Sequence, residues 1–176
     1  EDAVVIIEDS RIKHAGKREE SEIAEGADVT DITGKTILPG LMDLHIHLCL
    51  ADDDVLAPKA ALPTFIDKPA PWLGIRAFSI ARRSLKMGFT TLRSCGEIVW
   101  LDVNLRSAVD EGIVEGPRIV CSGQFLSTTG GQWDFFPEWL IRTDTENNLA
   151  DGNDAIIKAV RRQVKMKTDW VKYCAT

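Results

Sequence analysis

Residues 38–47, Leu-Pro-Gly-Leu-Met-Asp-Leu-His-Ile-His, are the stretch that decides the fold, because they place two histidines two positions apart at the end of an apolar run. A Pro-Gly pair opens the run, and the apolar residues that follow predict a strand. Side chains at i and i+2 of a strand share a face, so His45 and His47 are expected to lie side by side. Two neutral imidazoles in that arrangement suit a borderline metal such as zinc.

The positions that flank and separate the two histidines are apolar, which predicts a strand buried on both faces, as in a parallel sheet. These positions are Leu41, Leu44, Ile46 and Leu48. Buried imidazoles need partners, because an unpaired polar group is costly in an apolar interior. A His-x-His pair is by itself a weak signal, and two histidines on a surface strand remain the alternative.

The composition is that of an ordinary globular protein, with 176 residues of which 44% are hydrophobic and 27% are charged. This length suits about one domain. A net charge of −6 and the lack of a dense Lys/Arg run argue against a nucleic-acid partner. No apolar stretch approaches the roughly 20 residues of a membrane span. Four scattered cysteines without a Cys-x-x-Cys motif predict reduced thiols in a cytoplasmic protein.

Residues 1–37 predict a small all-β unit that begins with a hairpin. Within it, the pattern gives strands at 4–7, 11–14 and 29–32, a turn at 8–10 and a solvated acidic loop at 19–25. His14 lies in this unit, where a satisfied or exposed histidine is expected and a metal ligand is not.

From residue 38 onward, predicted strands alternate with amphipathic helices that end at glycines. Further strands are expected at 89–92, 118–121 and 170–174, and helices at 75–85, 101–109 and 156–164. Such alternation predicts right-handed βαβ units and a parallel sheet. The pattern suits either a small doubly wound sheet or half of a (β/α)8 barrel, which needs about 250 residues. Since no helix follows the last predicted strand, we expect the chain to be the N-terminal part of a longer polypeptide.

Several segments, in order along the chain, resemble the amidohydrolase superfamily of metal-dependent hydrolases. Residues 37–47, 88–93, 111–119 and 169–172 are similar to its first four barrel strands or their approaches, and residues 1–37 to the small β-sandwich beside the barrel. Residues 116–118 and 128–131 resemble the imidazolonepropionase-like and metallo-dipeptidase branch, which includes prolidases and Xaa-Arg or Xaa-Lys carboxypeptidases. The resemblance implies an α/β fold: the first half of a (β/α)8 TIM-like barrel over 38–176, preceded by part of a β-sandwich over 1–37.

The resemblance also implies a metal site of His45, His47 and Lys172, with two zinc ions. In many members, the lysine of the fourth strand is carboxylated by CO₂, and the Lys172 carbamate would bridge the two metals and serve the catalysis. Burial favours the neutral lysine amine, which can add CO₂, and the resulting carbamate is anionic and bidentate. Judged from its own segment alone, Lys172 is better interpreted as a lysine at the open end of a strand with its ammonium in water, and it is the resemblance that favours the metal ligand.

The loop after the third predicted strand supplies the candidate substrate-binding residues Gly130, Gly131, Gln132 and Trp133. Barrel active sites are built from loops after strands, adjacent glycines let backbone approach a ligand, and aromatic rings form apolar walls. Gln132 stands where relatives often have histidine, so the role of that histidine is not carried over. The alternative is that Trp133, together with Phe135 and Phe136, packs the loop.

Three further features have simpler interpretations. Arg93 at the end of the second barrel strand is expected to form a structural ion pair or to contact an anionic substrate. Residues 52–54, three consecutive aspartates, predict a solvated turn. Cys49 and Cys174 share a strand face with His47 and Lys172, and are expected to be small core residues.

The activity that the resemblance implies is hydrolysis of an amide C–N bond in a dipeptide, an N-acyl amino acid or a cyclic amide by a metal-activated water. Two more histidines and an aspartate would come from the remainder of the barrel beyond Thr176. The alternatives are a cyclic-amide hydrolase of the imidazolonepropionase type and a non-catalytic protein of this fold used for binding or assembly. A small molecule or dipeptide is the expected partner, and a homo-oligomer is compatible with the sequence.

Overall fold

The computed structural model describes residues 3–49, 68–134, 139 and 149–175. The chain divides into two units, residues 1–37 and residues 38–176. All four cysteines are free thiols. Within the described ranges, no helix has the length and apolar character needed to cross a membrane.

The first unit contains an antiparallel hairpin of β1 (Ala3–Glu8) and β2 (Arg11–Lys17), which confirms the predicted hairpin. Asp9 and Ser10 have φ values of 50° and 61°, the left-handed conformation that a two-residue hairpin turn requires. A 3-10 helix, Arg18–Glu20, follows in the acidic segment.

The strand expected at residues 29–32 is absent, so that prediction is wrong. Val29 is exposed, and the Asp31 carboxylate accepts the backbone N–H of Thr33 at 2.8 Å and its hydroxyl at 2.7 Å. Such a local bond offers the backbone an alternative to a strand ladder. A short β-branched run gains ladder bonds only where a neighbouring strand is available.

The second unit contains a parallel sheet of the order β3-β4-β5, with a helix after each strand, as the alternation predicts. The strands are β3 (Leu41–Ile46), β4 (Phe89–Ser94) and β5 (Arg118–Val120), and the helices are α1 (Ala70–Lys86), α2 (Leu101–Asp110) and α3 (Gly152–Lys165). Gly88 and Gly112, which follow α1 and α2, have φ values of 96° and 72° and end these helices where the sequence indicates.

The predicted fourth strand at residues 170–174 is present only as a single parallel bridge between Leu126 and Tyr173. The N–H of Leu126 donates to the carbonyl of Lys172 at 2.9 Å, and the N–H of Cys174 donates to the carbonyl of Leu126 at 2.8 Å. A longer ladder does not form because the buried segment 121–127 pairs piecewise with three different segments, at Glu97, Tyr173 and Leu149.

The core lies between the sheet and helices α1 and α2. Its buried members include Leu73, Ala77, Ala81, Leu92, Leu101, Leu105 and Ile119. Strand β3 is not buried on both faces, which corrects the prediction: Met42 and Leu44 are 64% and 57% exposed. Among the described residues, no segment packs over these two side chains.

Candidate metal centre

The two histidines of the opening stretch lie at the carboxyl end of β3, His45 within the strand and His47 directly after it. Their ring centroids are 5.4 Å apart with planes inclined at 68°, so the imidazoles lie side by side. The register of β3 against β4 shifts between Asp43 and Ile46, and the Asp43 carboxylate accepts the N–H of His45 at 3.0 Å. This local bond replaces a ladder bond and sets the backbone from which His45 projects.

A hydrogen bond to Gly96 determines the tautomer of His47. Nδ1 of His47 lies 2.9 Å from the carbonyl oxygen of Gly96. A carbonyl oxygen only accepts, so Nδ1 carries the proton and Nε2 keeps its lone pair. Burial lowers the pKa of His47; the bond to Gly96 opposes this shift, and the charges of His45 and Lys172 add to it. A neutral ring held through one nitrogen is the state in which histidine ligates a metal, so this residue fits the implied metal.

A buried carboxyl group that sequence reasoning missed holds the backbone after His47. Glu97, which is 1% exposed, accepts the N–H groups of Leu48 and Cys49, the latter at 3.0 Å, and the hydroxyl of Ser94 at 3.1 Å. Burial raises the pKa of Glu97 to about 8, although a hydrogen bond with the Cys49 thiol opposes this shift. The sequence feature that could have identified Glu97 is its position in the loop after a barrel strand, because functional residues concentrate in such loops.

Lys172 is half-buried in the segment that pairs with Leu126. Its charge contributes to the lowered pKa of His47, after burial and His45. Burial raises the pKa of the Cys95 and Cys174 thiols, and the Lys172 charge opposes both shifts. The structure therefore brings Lys172 within electrostatic range of His47. Among the residues that the structure describes, no group of three or more His, Cys, Asp or Glu could hold a metal ion.

Among the described residues, Arg93 forms no structural ion pair, which was one expectation for it. Its guanidinium carbon lies 3.8 Å from the centroid of the Trp170 ring, and one guanidinium nitrogen donates to the carbonyl of Leu44 at 3.4 Å. Within the described part of the chain, this half-buried cation has no carboxylate partner. The contact with an anionic substrate remains a prediction.

An aromatic stack extends from His47 towards the predicted substrate loop. The ring of Phe125 is 5.4 Å from that of His47, and Trp133 stacks on Phe125 with centroids 3.7 Å apart. The ring of Phe125 thus lies between Trp133 and the candidate metal ligand His47. Sequence reasoning singled out Trp133 but missed Phe125, which is buried in the segment after β5.

The other predicted substrate residues lie on an exposed turn. Gly130 and Gln132 are exposed and Gly131 is half-buried, and the N–H of Gly130 donates to the Asp134 carboxylate at 2.8 Å. Among the described residues, no hydrogen bond or ring contact joins these three to the histidine pair. Phe135, Phe136 and residues 52–54 lie outside the described residues.

Comparison with known proteins places this arrangement in a family. The model of the amidohydrolase family matches residues 36–176, which include His45, His47 and Lys172. The chain belongs to the amidohydrolase family. This confirms the resemblance on which the sequence interpretation rests.

Individual relatives of this amidohydrolase-family chain agree with that assignment. Ochratoxinase from Aspergillus niger is 27% identical over 155 residues, which are 80% of this chain and 31% of that protein. Imidazolonepropionase from Bacillus velezensis is 46% identical over 48 residues, 27% of this chain and 11% of that protein. A prolidase in complex with N-methylphosphonate-L-proline is similar in structure, with a TM-score of 0.74 and 29% identity over 96% of this chain and 40% of that one.

These comparisons confirm the α/β barrel-half prediction and exclude the small doubly wound sheet. The chain spans about 31% of ochratoxinase and 40% of the prolidase chain. In TIM barrels, the active site lies at the carboxyl ends of the strands. His47 follows β3, Gly96 and Glu97 follow β4, and Lys172 pairs with the segment that follows β5. All four therefore lie at the end of the sheet where amidohydrolase-family barrels place their chemistry.

Proposed function

We propose that this chain is the first part of a metal-dependent amidohydrolase that cleaves an amide C–N bond in a dipeptide, an N-acyl amino acid or a cyclic amide. The observation that carries the proposal is the neutral His47 ring, protonated at Nδ1 by its bond to Gly96, with the Nε2 lone pair free beside His45. Family membership supports hydrolysis, and the similarity to a prolidase and to imidazolonepropionase supports an amide substrate.

His45 and His47 would hold one of two zinc ions, with the other ligands supplied by Lys172 and by two histidines and an aspartate beyond Thr176. A bound divalent metal supplies Lewis acidity, which lowers the pKa of bound water towards neutrality and polarises the amide carbonyl. The protein's part is to orient the rings: the Gly96 carbonyl holds His47 in one tautomer, and the Asp43 carboxylate holds the backbone of His45.

A carbamate on Lys172 suits the charges around it. As an ammonium, Lys172 repels the protonated form of His47, which is one cause of the lowered pKa of that histidine. Arg93 adds a further cation without a carboxylate partner among the described residues. Lys172 would first release a proton, and addition of CO₂ to the neutral amine with release of a second proton would then give the carbamate. A negative charge would replace the positive one, which would turn this repulsion into attraction and add two oxygen ligands.

The substrate would lie against the aromatic stack. Phe125 and Trp133 form an apolar wall that starts beside His47, and apolar walls of this kind bury a ligand and exclude water. The wall favours a substrate with an apolar group next to the scissile bond. In this proposal, the exposed turn of the same loop contacts the side of the substrate that faces solvent. The residues of this turn are Gly130, Gly131 and Gln132.

The test is metal analysis of the whole protein, combined with a hydrolysis screen of dipeptides, N-acyl amino acids and cyclic amides. We expect bound metal at about two equivalents and turnover that a chelator abolishes. Turnover of cyclic amides alone would favour the imidazolonepropionase-type alternative, which the 46% identity over 48 residues supports. Substoichiometric metal without turnover would overturn the proposal in favour of a non-catalytic binding or assembly protein.

A further inference from the structure

The loop between β4 and α2 and the first turn of α2 contain two buried carboxyl groups to which the proposed reaction assigns no part. The side chains of Glu97 and Asp102 belong to residues that are 1% and 0% exposed. Both contact Ser94 at the end of β4, and burial and the charge of Asp102 both raise the pKa of Glu97. Burying a carboxyl group is costly, so two of them so close together in the chain require a reason in structure or in function.

Each of these groups holds the backbone that follows a neighbouring strand. Asp102 accepts the N–H groups of Ser122 and Gly123, both at 2.9 Å, in the segment after β5. Glu97 accepts the N–H groups of Leu48 and Cys49, the two residues directly after His47. The two carboxyl groups make the same kind of bond, Asp102 to the segment after β5 and Glu97 to the segment after β3. Only Glu97 binds the backbone next to His47.

Glu97 and its neighbour Gly96 hold His47 from two sides. The carbonyl of Gly96 fixes the imidazole through Nδ1, and the carboxyl group of Glu97 fixes the peptide groups that leave His47. The N–H of Glu97 is itself bound to the carbonyl of Gly123 at 2.8 Å, which anchors this loop to the segment after β5. The dipeptide Gly96-Glu97 therefore holds both the imidazole ring of His47 and the backbone that follows it.

The backbone directly after Glu97 is strained. Val99 and Trp100 have φ values of 44° and 59°, and the left-handed region is a genuine outlier for a β-branched residue such as Val99. Strained positions persist where the surrounding contacts over-determine them, and they cluster at functional sites. Here, the strained pair joins Glu97, in the loop, to the first turn of α2, in which Asp102 lies, so that both acids are buried although they are close together in the chain.

We propose that Glu97 is a positioning residue for His47, whose carboxyl group fixes the backbone at Leu48 and Cys49 so that Nε2 of His47 stays directed at the metal. The inference rests on the proposed function, because it requires that His47 holds a metal. It goes beyond that function in assigning a role to a buried acid that touches neither metal nor substrate. Such outer-shell partners orient ligands, and their loss typically weakens metal binding about tenfold to a hundredfold.

The experiment measures Co²⁺ binding to the whole protein by titration and by the visible absorption spectrum of the bound ion. Glu97→Gln keeps the size of the side chain but replaces an acceptor oxygen by an amino group, so one of the two N–H groups after His47 loses its partner. We expect its Co²⁺ affinity to fall about tenfold to a hundredfold, with a changed absorption band. Asp102→Asn is the matched control, because it removes an equally buried acceptor from the β5 side; we expect wild-type affinity and spectrum.

The outcomes separate the inference from the proposed function. If the wild-type protein binds no Co²⁺, the proposed function fails and the inference fails with it. If the wild type binds Co²⁺ and Glu97→Gln does so with unchanged affinity and spectrum, only the inference is overturned. An equal loss of Co²⁺ affinity in Glu97→Gln and Asp102→Asn also overturns the inference, since the effect is then a general loss of stability. If Glu97→Gln does not fold, Glu97→Asp replaces it, with a smaller loss expected and wild-type binding again overturning the inference.

Discussion

The imidazole Nδ1 of His47 donates a hydrogen bond of 2.9 Å to the carbonyl oxygen of Gly96, 49 residues further along the chain. This bond joins the carboxyl ends of β3 and β4 and leaves Nε2 of the histidine free. Gly96 has a φ of 114°, and a Cβ at this position would lie 2.2 Å from the ring of Phe125. The same residue thus orients the candidate ligand and makes room for the aromatic stack beside it.

Replacing Gly96 by alanine is therefore expected to affect both stability and metal binding. The added methyl group collides with the ring of Phe125. The resulting shift of residue 96 moves the carbonyl oxygen that accepts the hydrogen bond of His47. Gly112→Ala is the control, because Gly112 also has a positive φ of 72° but has open space around it. We expect Gly96→Ala to lower the free energy of unfolding by about 1–3 kcal/mol more than the control. Urea unfolding and Co²⁺ titration measure the two effects, and equal behaviour of the two variants would contradict the prediction.

Alanine at His45 or at His47 is expected to remove bound metal and abolish turnover in the whole protein, since each replacement removes one of two adjacent imidazoles. His14→Ala, in the hairpin unit, is the control and should retain metal. Metal content by elemental analysis and hydrolysis rates test the prediction. It fails if His45→Ala keeps the wild-type rate with metal present.

Lys172→Ala is expected to lose most of the metal and activity in the whole protein, because in the proposed function the Lys172 carbamate is one of the metal ligands. Protein exchanged into isotopically labelled bicarbonate should show a carbamate signal by carbon NMR in the wild type and none in Lys172→Ala. Lys158→Ala, on the exposed surface of α3, should leave the signal unchanged. A wild-type protein with full metal content and no such signal would show that Lys172 is not carboxylated.

Trp133→Ala is expected to raise KM for substrates with an apolar group more than it lowers kcat, because the stacked ring belongs to the wall and not to the metal site. Loss of one aromatic contact costs about 1–2 kcal/mol, or roughly tenfold in kcat/KM. Trp139→Ala is the control, since Trp139 is 85% exposed. An equal effect of the two replacements, or an effect on kcat alone, would rule out the wall.

The free energy of unfolding is expected to decrease as the pH rises, because of the buried carboxyl group of Glu97. Burial raises its pKa from 4.5 to about 8. Below 4.5, the group is protonated in both the folded and the unfolded chain, and its contribution is fully present. Between these values, only the unfolded chain releases the proton, so the free energy of unfolding falls by up to about 1.4 kcal/mol per pH unit, and the decline ends above the folded pKa.

Glu97→Gln lacks this titration, so the difference in unfolding free energy between wild type and variant should shrink as the pH rises through this window. Burial also raises the pKa of Asp102, but that group is common to both proteins and largely cancels. Cys49 and Ser94, which face Glu97, are likewise unchanged. Urea unfolding at a series of pH values measures the difference, and a pH-independent difference would contradict the raised pKa.

Local patterns predicted a large part of the fold. The turn after Glu8 and the glycines after α1 and α2 were located from the sequence, because turns and helix ends depend on the conformation of a few residues. The failures concern features that need a neighbour. Residues 29–32 have strand composition but no pairing partner among the described residues, and β3 is apolar but no described segment covers Met42 and Leu44.

The sequence by itself determined that His45 and His47 share a face, since the period of a strand is a property of consecutive residues. It also determined, through the order of its motifs, the family to which the chain belongs. The tertiary structure alone decided which nitrogen of His47 is free and which peptide groups Glu97 holds. These hydrogen bonds join residues 48 or 49 positions apart, and they form only because parallel strands bring their carboxyl ends to one edge of the sheet.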